Sequence, residues 1–117
     1  MAPTIYTDGS GGSESGFGYY IQETGHTFHE KKEGITSNQA EYHAILAVLK
    51  AADPAEPLVI YSDSKNTVSQ LNHEFAINDN TLRNLAREAW PIMARFASLE
   101  IRWVPRAENP AGKMLGS

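Results

Sequence analysis

The chain has 117 residues, 14 acidic against 10 basic side chains, a net charge of −4 at pH 7, and no cysteine. That length suits a single domain, 1–117, with one core; the missing cysteine excludes a disulfide framework, a thiolate metal site and a cysteine nucleophile. No apolar run approaches a membrane span and Met1-Ala2-Pro3 lacks a signal-peptide core, so the sequence reads as soluble and cytoplasmic. The acidic balance weighs against a nucleic-acid partner, unless several acids hold divalent cations, which invert the charge of their site.

Thr4 to Thr7 reads as a short strand driving into Asp8. Gly9 to Gly16 is turn chemistry, with four glycines and three serines in eight positions. Phe17 to Gln22 reads as a second strand, Glu23-Thr24-Gly25 as a hairpin turn, and His26 to Glu33 as a third strand. Three strands with short connections imply an antiparallel meander. Thr36-Ser37-Asn38-Gln39 fits a capping box, with Thr36 as N-cap, opening a helix to about Ala52 before Asp53-Pro54. Ala44, Ile45, Val48 and Leu49 define its buried stripe, and Glu41 falls on or beside that face.

Leu58-Val59-Ile60-Tyr61 is a continuous apolar run of the kind buried on both faces of a sheet. It ends at Ser62-Asp63-Ser64, a junction into a short helix to about Asn72. Asp79 or Asn80 caps a longer helix, with Leu82, Leu85, Ala86, Ala89, Met93 and Phe96 in helical period. Pro91 should kink or break it. Leu99 to Val104 is the last strand, and Pro105 onward reads as irregular.

Strand one and the Leu58 strand bracket a helical crossover, so they should be parallel neighbours with a right-handed connection. The fold class is then α/β, a five-stranded mixed sheet with helices packed on it. Asp8 and Asp63 would lie outside the strands' carboxyl ends, where open α/β sheets bind ligands, and the capped helix brings Glu41 toward them. Carboxylates without His or Cys favour magnesium or manganese over zinc or copper. Two such ions about 4 Å apart can activate water and stabilise the leaving oxygen of an in-line displacement. Each acid also has a plainer reading: Asp8 as a turn cap, Glu41 as an exposed helix charge, Asp63 as a helix N-cap. Taken as a set, they favour metal.

Four stretches also resemble ribonuclease H of type 1: Tyr6-Thr7-Asp8-Gly9-Ser10, Thr36-Ser37-Asn38-Gln39-Ala40-Glu41-Tyr42, Tyr61-Ser62-Asp63-Ser64-Lys65, and Val104-Pro105-Arg106-Ala107-Glu108-Asn109-Pro110. The resemblance covers nearly the whole chain in the family's order. It implies the ribonuclease-H-like fold and an endonuclease that cuts the RNA strand of RNA/DNA hybrids with two magnesium or manganese ions, leaving a 3′-hydroxyl and a 5′-phosphate. It implies Asp8, Glu41 and Asp63 as metal ligands. Gly9, Ser10 and Gly12 in the glycine loop, with Asn38 and Gln39, would line the hybrid's minor groove and read the 2′-hydroxyl. Lys65 stands where the family often has Gln, and Arg106 near a place where some members use His, so both are candidate substrate contacts. The connection after Leu71 carries no basic insertion, which implies the compact branch and weak substrate binding. A monomer without an obligatory protein partner is expected.

The departure lies at the C-terminus. The family's fourth carboxylate would align with Lys113. Either that ligand is missing, or Asn109 supplies a neutral carbonyl oxygen in its place, with weaker binding at the second metal position and a preference for manganese. Lys113 would otherwise be a tethered cation or phosphate contact. Loss of the fourth carboxylate also leaves an alternative, a catalytically impaired domain that binds hybrids or a protein without cutting. His26, His29, His43 and His73 read as structural or solvated, Trp90 and Trp103 as packing, and Arg83, Arg87 and Arg95 as a wet helix face.

Overall fold

The computed structural model describes residues 3–114. In chain order they form β1 (Thr4–Ser10), β2 (Gly16–Ile21), β3 (Thr27–Lys31), α1 (Ser37–Ala51), β4 (Leu58–Ser62), α2 (Lys65–Leu71), α3 (Asn80–Met93), β5 (Leu99–Trp103) and α4 (Pro110–Met114), with a 3-10 turn over Arg106–Glu108. The sheet order is β3-β2-β1-β4-β5. The first three strands are an antiparallel meander, and β4 and β5 add in parallel. The fold class and the parallel pairing of strand one with the Leu58 strand are as expected from the sequence.

Register places the site. Thr7 pairs with Ser62 across β1 and β4, so Asp8 and Asp63 follow at the same level, where β4 ends and β1 continues against β2 alone. The core forms between this sheet and α1, with Ile5, Ile45, Val48, Leu49, Leu58, Ile60, Val68, Leu71, Ala86 and Ile101 all buried. Helix α1 is buried over much of its circumference because α2 and α3 pack against it as well. Each large aliphatic side chain taken from water there is worth about 1.5–3 kcal/mol.

The helix starts follow the sequence. Thr36 and Gln39 form a complete capping box on α1, Asp79 accepts from the Leu82 amide at the start of α3, and Ser64, not Asp63, caps α2. Two expectations fail, the first only in its stronger form, a break rather than a kink. Pro91 does not break α3, which runs on to Met93; only two residues follow it, and it lies on an exposed face where water can solvate the carbonyl left without a donor. The segment after Pro105 is not irregular. It forms the 3-10 turn and α4, whose first turn is capped by the Asn109 side chain, which accepts from the Ala111 amide at 3.0 Å.

Candidate metal centre

Each of the three carboxylates reaches the site for a local reason. Asp8 lies in the strand paired through Gly18 of β2 and is almost fully buried. Gly9 lets α1 approach: a Cβ there would meet the Ala40 carbonyl carbon at 2.4 Å and the Glu41 nitrogen at 2.6 Å. The backbone that carries Glu41 therefore rests directly on β1. Asp63 follows the last residue of β4 and, with capping assigned to Ser64, has no part in starting α2.

The result is a convergence: one oxygen each from Asp8, Glu41 and Asp63 lie within 4.8 Å of one another. Glu41 is buried, and its Oε1 has no hydrogen-bond partner. Burial first, then the charges of Asp63 and Asp8, push its carboxyl up to about 9, against a hydrogen bond from the Gly9 amide. Three acids so placed repel one another and lose solvation together. A divalent cation relieves both costs, and an all-oxygen donor set suits magnesium or manganese. The orphaned Glu41 oxygen and the carboxylate cluster fit such an ion.

Asn109 does not act as expected. It is fully buried, but its Nδ2 donates to Asp63 Oδ2 at 3.0 Å and to the Thr7 carbonyl at 2.9 Å, while its carbonyl oxygen caps α4. The amide turns a donor toward the carboxylates, so Asn109 orients Asp63 and offers the cation no oxygen. Lys113, on the last described turn, borders a hollow with Tyr6, Tyr20 and Glu108 that none of the three acids lines. In this arrangement Asn109 turns a donor rather than an oxygen toward the carboxylates, and the Lys113 side chain has no oxygen to offer.

The remaining candidates surround the cluster. The glycine loop is tied to the start of α1: the Gly11 amide donates to Ser37 Oγ at 3.2 Å and the Gly12 amide to the Ile35 carbonyl at 3.4 Å. Ser10 ends β1 opposite Gly16. Asn38 is exposed beside this loop; Gln39 spends its carbonyl oxygen on the Thr36 amide, so what it can offer a substrate is its NH2. Arg106 is exposed in the 3-10 turn. Lys65 sits with its Nζ 5.9 Å from the centre of the Trp103 ring. Trp103, read from sequence as packing, is 46% exposed; it shares the face of β5 that carries Ile101 but is the last residue of the strand. Trp90 does pack, donating its indole N–H to the Leu71 carbonyl at 3.1 Å.

Comparison with known proteins agrees with this frame. EbsB of Enterococcus faecalis is 28% identical over 120 residues, spanning 95% of this chain and 88% of that protein. Ribonuclease HI of Halobacterium salinarum is 32% identical over 105 residues, 88% of this chain but 51% of the relative, so the chain spans about half of that enzyme. The crystal structure of RNase H1 from the same archaeon superposes with a TM-score of 0.87 at 27% identity, over 98% of this chain and 94% of that one. LC11-RNase H1, solved in complex with an RNA/DNA hybrid, superposes at 0.82 with 24% identity, over 97% and 92%. With residues 13–116 matched by the family described as reverse transcriptase-like, the chain belongs to that family and carries the ribonuclease H fold.

Proposed function

We propose that this chain is a metal-dependent ribonuclease H that hydrolyses the RNA strand of RNA/DNA hybrids. The observation that carries the reading is the convergence of Asp8, Glu41 and Asp63, with an unpartnered buried oxygen on Glu41, on a frame shared with ribonucleases H. Magnesium or manganese held by these carboxylates, two ions with substrate present, would supply an activated water and charge stabilisation of the leaving oxygen.

The protein's own residues do the rest. Asn109 fixes the Asp63 carboxylate, and Gly9 fixes the distance between β1 and α1. The loop backbone from Gly9 to Gly12, with Asn38 and the Gln39 NH2, faces the minor groove, where a 2′-hydroxyl distinguishes RNA from DNA. Lys65 and Arg106 supply phosphate contacts. No protein nucleophile is needed.

The test is cleavage of an end-labelled RNA/DNA hybrid with magnesium and then manganese, beside single-stranded RNA and duplex DNA. Cutting confined to the RNA of the hybrid, leaving a 3′-hydroxyl and a 5′-phosphate, supports the assignment. Hybrid binding without cutting in either metal would replace it with a binding domain, the reading favoured by the absence of a fourth carboxylate from Asn109 and Lys113.

A further inference from the structure

Phe75 and Trp103 are the large hydrophobic side chains that the described residues leave most open, at 47% and 46% exposure. Both line one groove of about 510 Å³ between α2 and the β5 edge of the sheet. Exposed aromatics scattered singly are ordinary; two facing one groove form a patch that calls for an occupant.

The groove is built rather than loose. Asn72 Nδ2 donates to the Ile101 carbonyl at 2.9 Å, tying the end of α2 to β5. The Trp103 indole N–H donates to the Asp63 main-chain carbonyl at 3.2 Å, which fixes the ring and joins the groove to the carboxylate site. In a chain of net charge −4, this groove is locally basic, with Lys65 and Arg102 against Glu74. Arg102 is paired with Glu100 at 2.7 Å, but both are exposed, and such pairs yield at little cost.

Aromatic faces beside cations are what an unpaired nucleic-acid strand requires, bases stacking on the rings and phosphates meeting the charges. A duplex keeps its bases stacked on one another and gives the rings nothing. We propose that this groove holds the single-stranded continuation of the RNA whose paired part enters the carboxylate site. The proposal rests on the hybrid-cutting assignment for that site.

The experiment uses Glu41→Gln protein, so that binding is read without cutting, and the fluorescence anisotropy of labelled hybrids that are blunt or extended by unpaired RNA. The extension is expected to tighten binding by about fivefold or more, the lower end for one stacked base. Phe75→Ala should return the ratio of extended to blunt affinity to about one; Phe75 is exposed and outside every helix and strand, so folding should survive. Trp103→Phe keeps an aromatic face and should retain most of the gain. An extension that adds nothing, or a gain that survives Phe75→Ala, overturns the proposal. If the blunt hybrid does not bind at all, the functional assignment fails instead. Single-stranded RNA alone then decides the groove: quenching of tryptophan fluorescence that Phe75→Ala removes supports it, and no quenching overturns it.

Discussion

Asn109 Nδ2 lies 3.0 Å from Asp63 Oδ2 and 2.9 Å from the Thr7 carbonyl. The amide can sit only one way round, because the Thr7 oxygen only accepts and the Ala111 amide on its other side only donates. One buried side chain thus joins β1, the end of β4 and the start of α4. Removing it leaves the Ala111 amide and the Thr7 oxygen without these partners, which costs about 1–3 kcal/mol, and releases the Asp63 carboxylate. Asn109→Ala is expected to melt earlier and to bind manganese about tenfold or more weakly in calorimetric titration, the usual effect of losing a group that orients a ligand. Asn109→Asp sets an acceptor against two acceptors, so it should be worse than alanine at pH 8 and recover as pH falls and the new acid protonates. Wild-type melting and metal affinity in both variants would show that Asn109 does not hold Asp63.

Glu41 makes the metal-free protein sensitive to pH. Its carboxyl is raised in the folded state from 4.5 to about 9, so between those values the folded chain keeps a proton that the unfolded chain has released. The stability contributed by the neutral form is full below about pH 4.5 and is lost as pH rises toward 9, with a slope approaching 1.4 kcal/mol per unit for one proton. Metal-free protein should therefore be more stable at pH 5 than at pH 8, and Glu41→Gln should flatten that difference while abolishing cleavage. Cation binding near pH 7 should release a proton, visible as a dependence of calorimetric heat on the buffer. Equal pH profiles for the wild type and Glu41→Gln would remove this account.

Much of the frame could be read directly from the residues. The Thr36 capping box, the apolar run of β4 and the Asp-Gly end of β1 act through local chemistry, and local chemistry survives folding. Glu41 is legible as an acid beside an apolar stripe, although its burial depends on the close approach of α1 to β1 at Gly9. The orientation of Asn109 is not legible in the sequence, because position alone does not say which end of an amide faces a site; the acceptor on β1 and the donor on α4 decide it, 102 and 2 residues away. The exposure of Trp103 is not legible in the alternation, which puts it on the same face as buried Ile101; it follows from the end of β5, an edge strand whose pairing with β4 stops at Ser62 and Trp103.

Ser64 and Asp63 separate structure from chemistry at adjacent positions. Ser64 Oγ accepts from the Thr67 amide at 3.3 Å and contacts Thr67 Oγ1 at 2.8 Å, so Ser64→Ala should cost about 1 kcal/mol of stability and leave cleavage at permissive temperature nearly intact. Asp63→Asn should do the reverse: it takes away a charge that raises the Glu41 carboxyl, so the metal-free fold gives up less stability as pH rises to 8, but it removes a ligand and lowers cleavage by orders of magnitude. Thermal melts beside single-turnover rates would check both. A strong loss of rate in Ser64→Ala with normal metal affinity would mean that the α2 start takes part in the chemistry.

Gly9 sets the geometry on which the carboxylate cluster depends. A methyl group at this position would stand 2.4 Å from the Ala40 carbonyl carbon and 2.6 Å from the Glu41 nitrogen, and both are backbone atoms that cannot rotate aside. Helix α1 must then move away from β1, taking Glu41 from Asp8 and weakening the hydrogen bond from the Gly9 amide to the Glu41 carboxyl. Overpacking of this kind costs about 1–3 kcal/mol. Gly9→Ala should also lose metal affinity, whereas Gly12→Ala should not, since a Cβ at Gly12 meets nothing within 4 Å and the penalty there is the left-handed φ of 98°. Melting temperature and manganese titration on the two variants distinguish the cases. If both lose stability but keep wild-type metal affinity, the approach of α1 to β1 does not set the distance between Asp8 and Glu41.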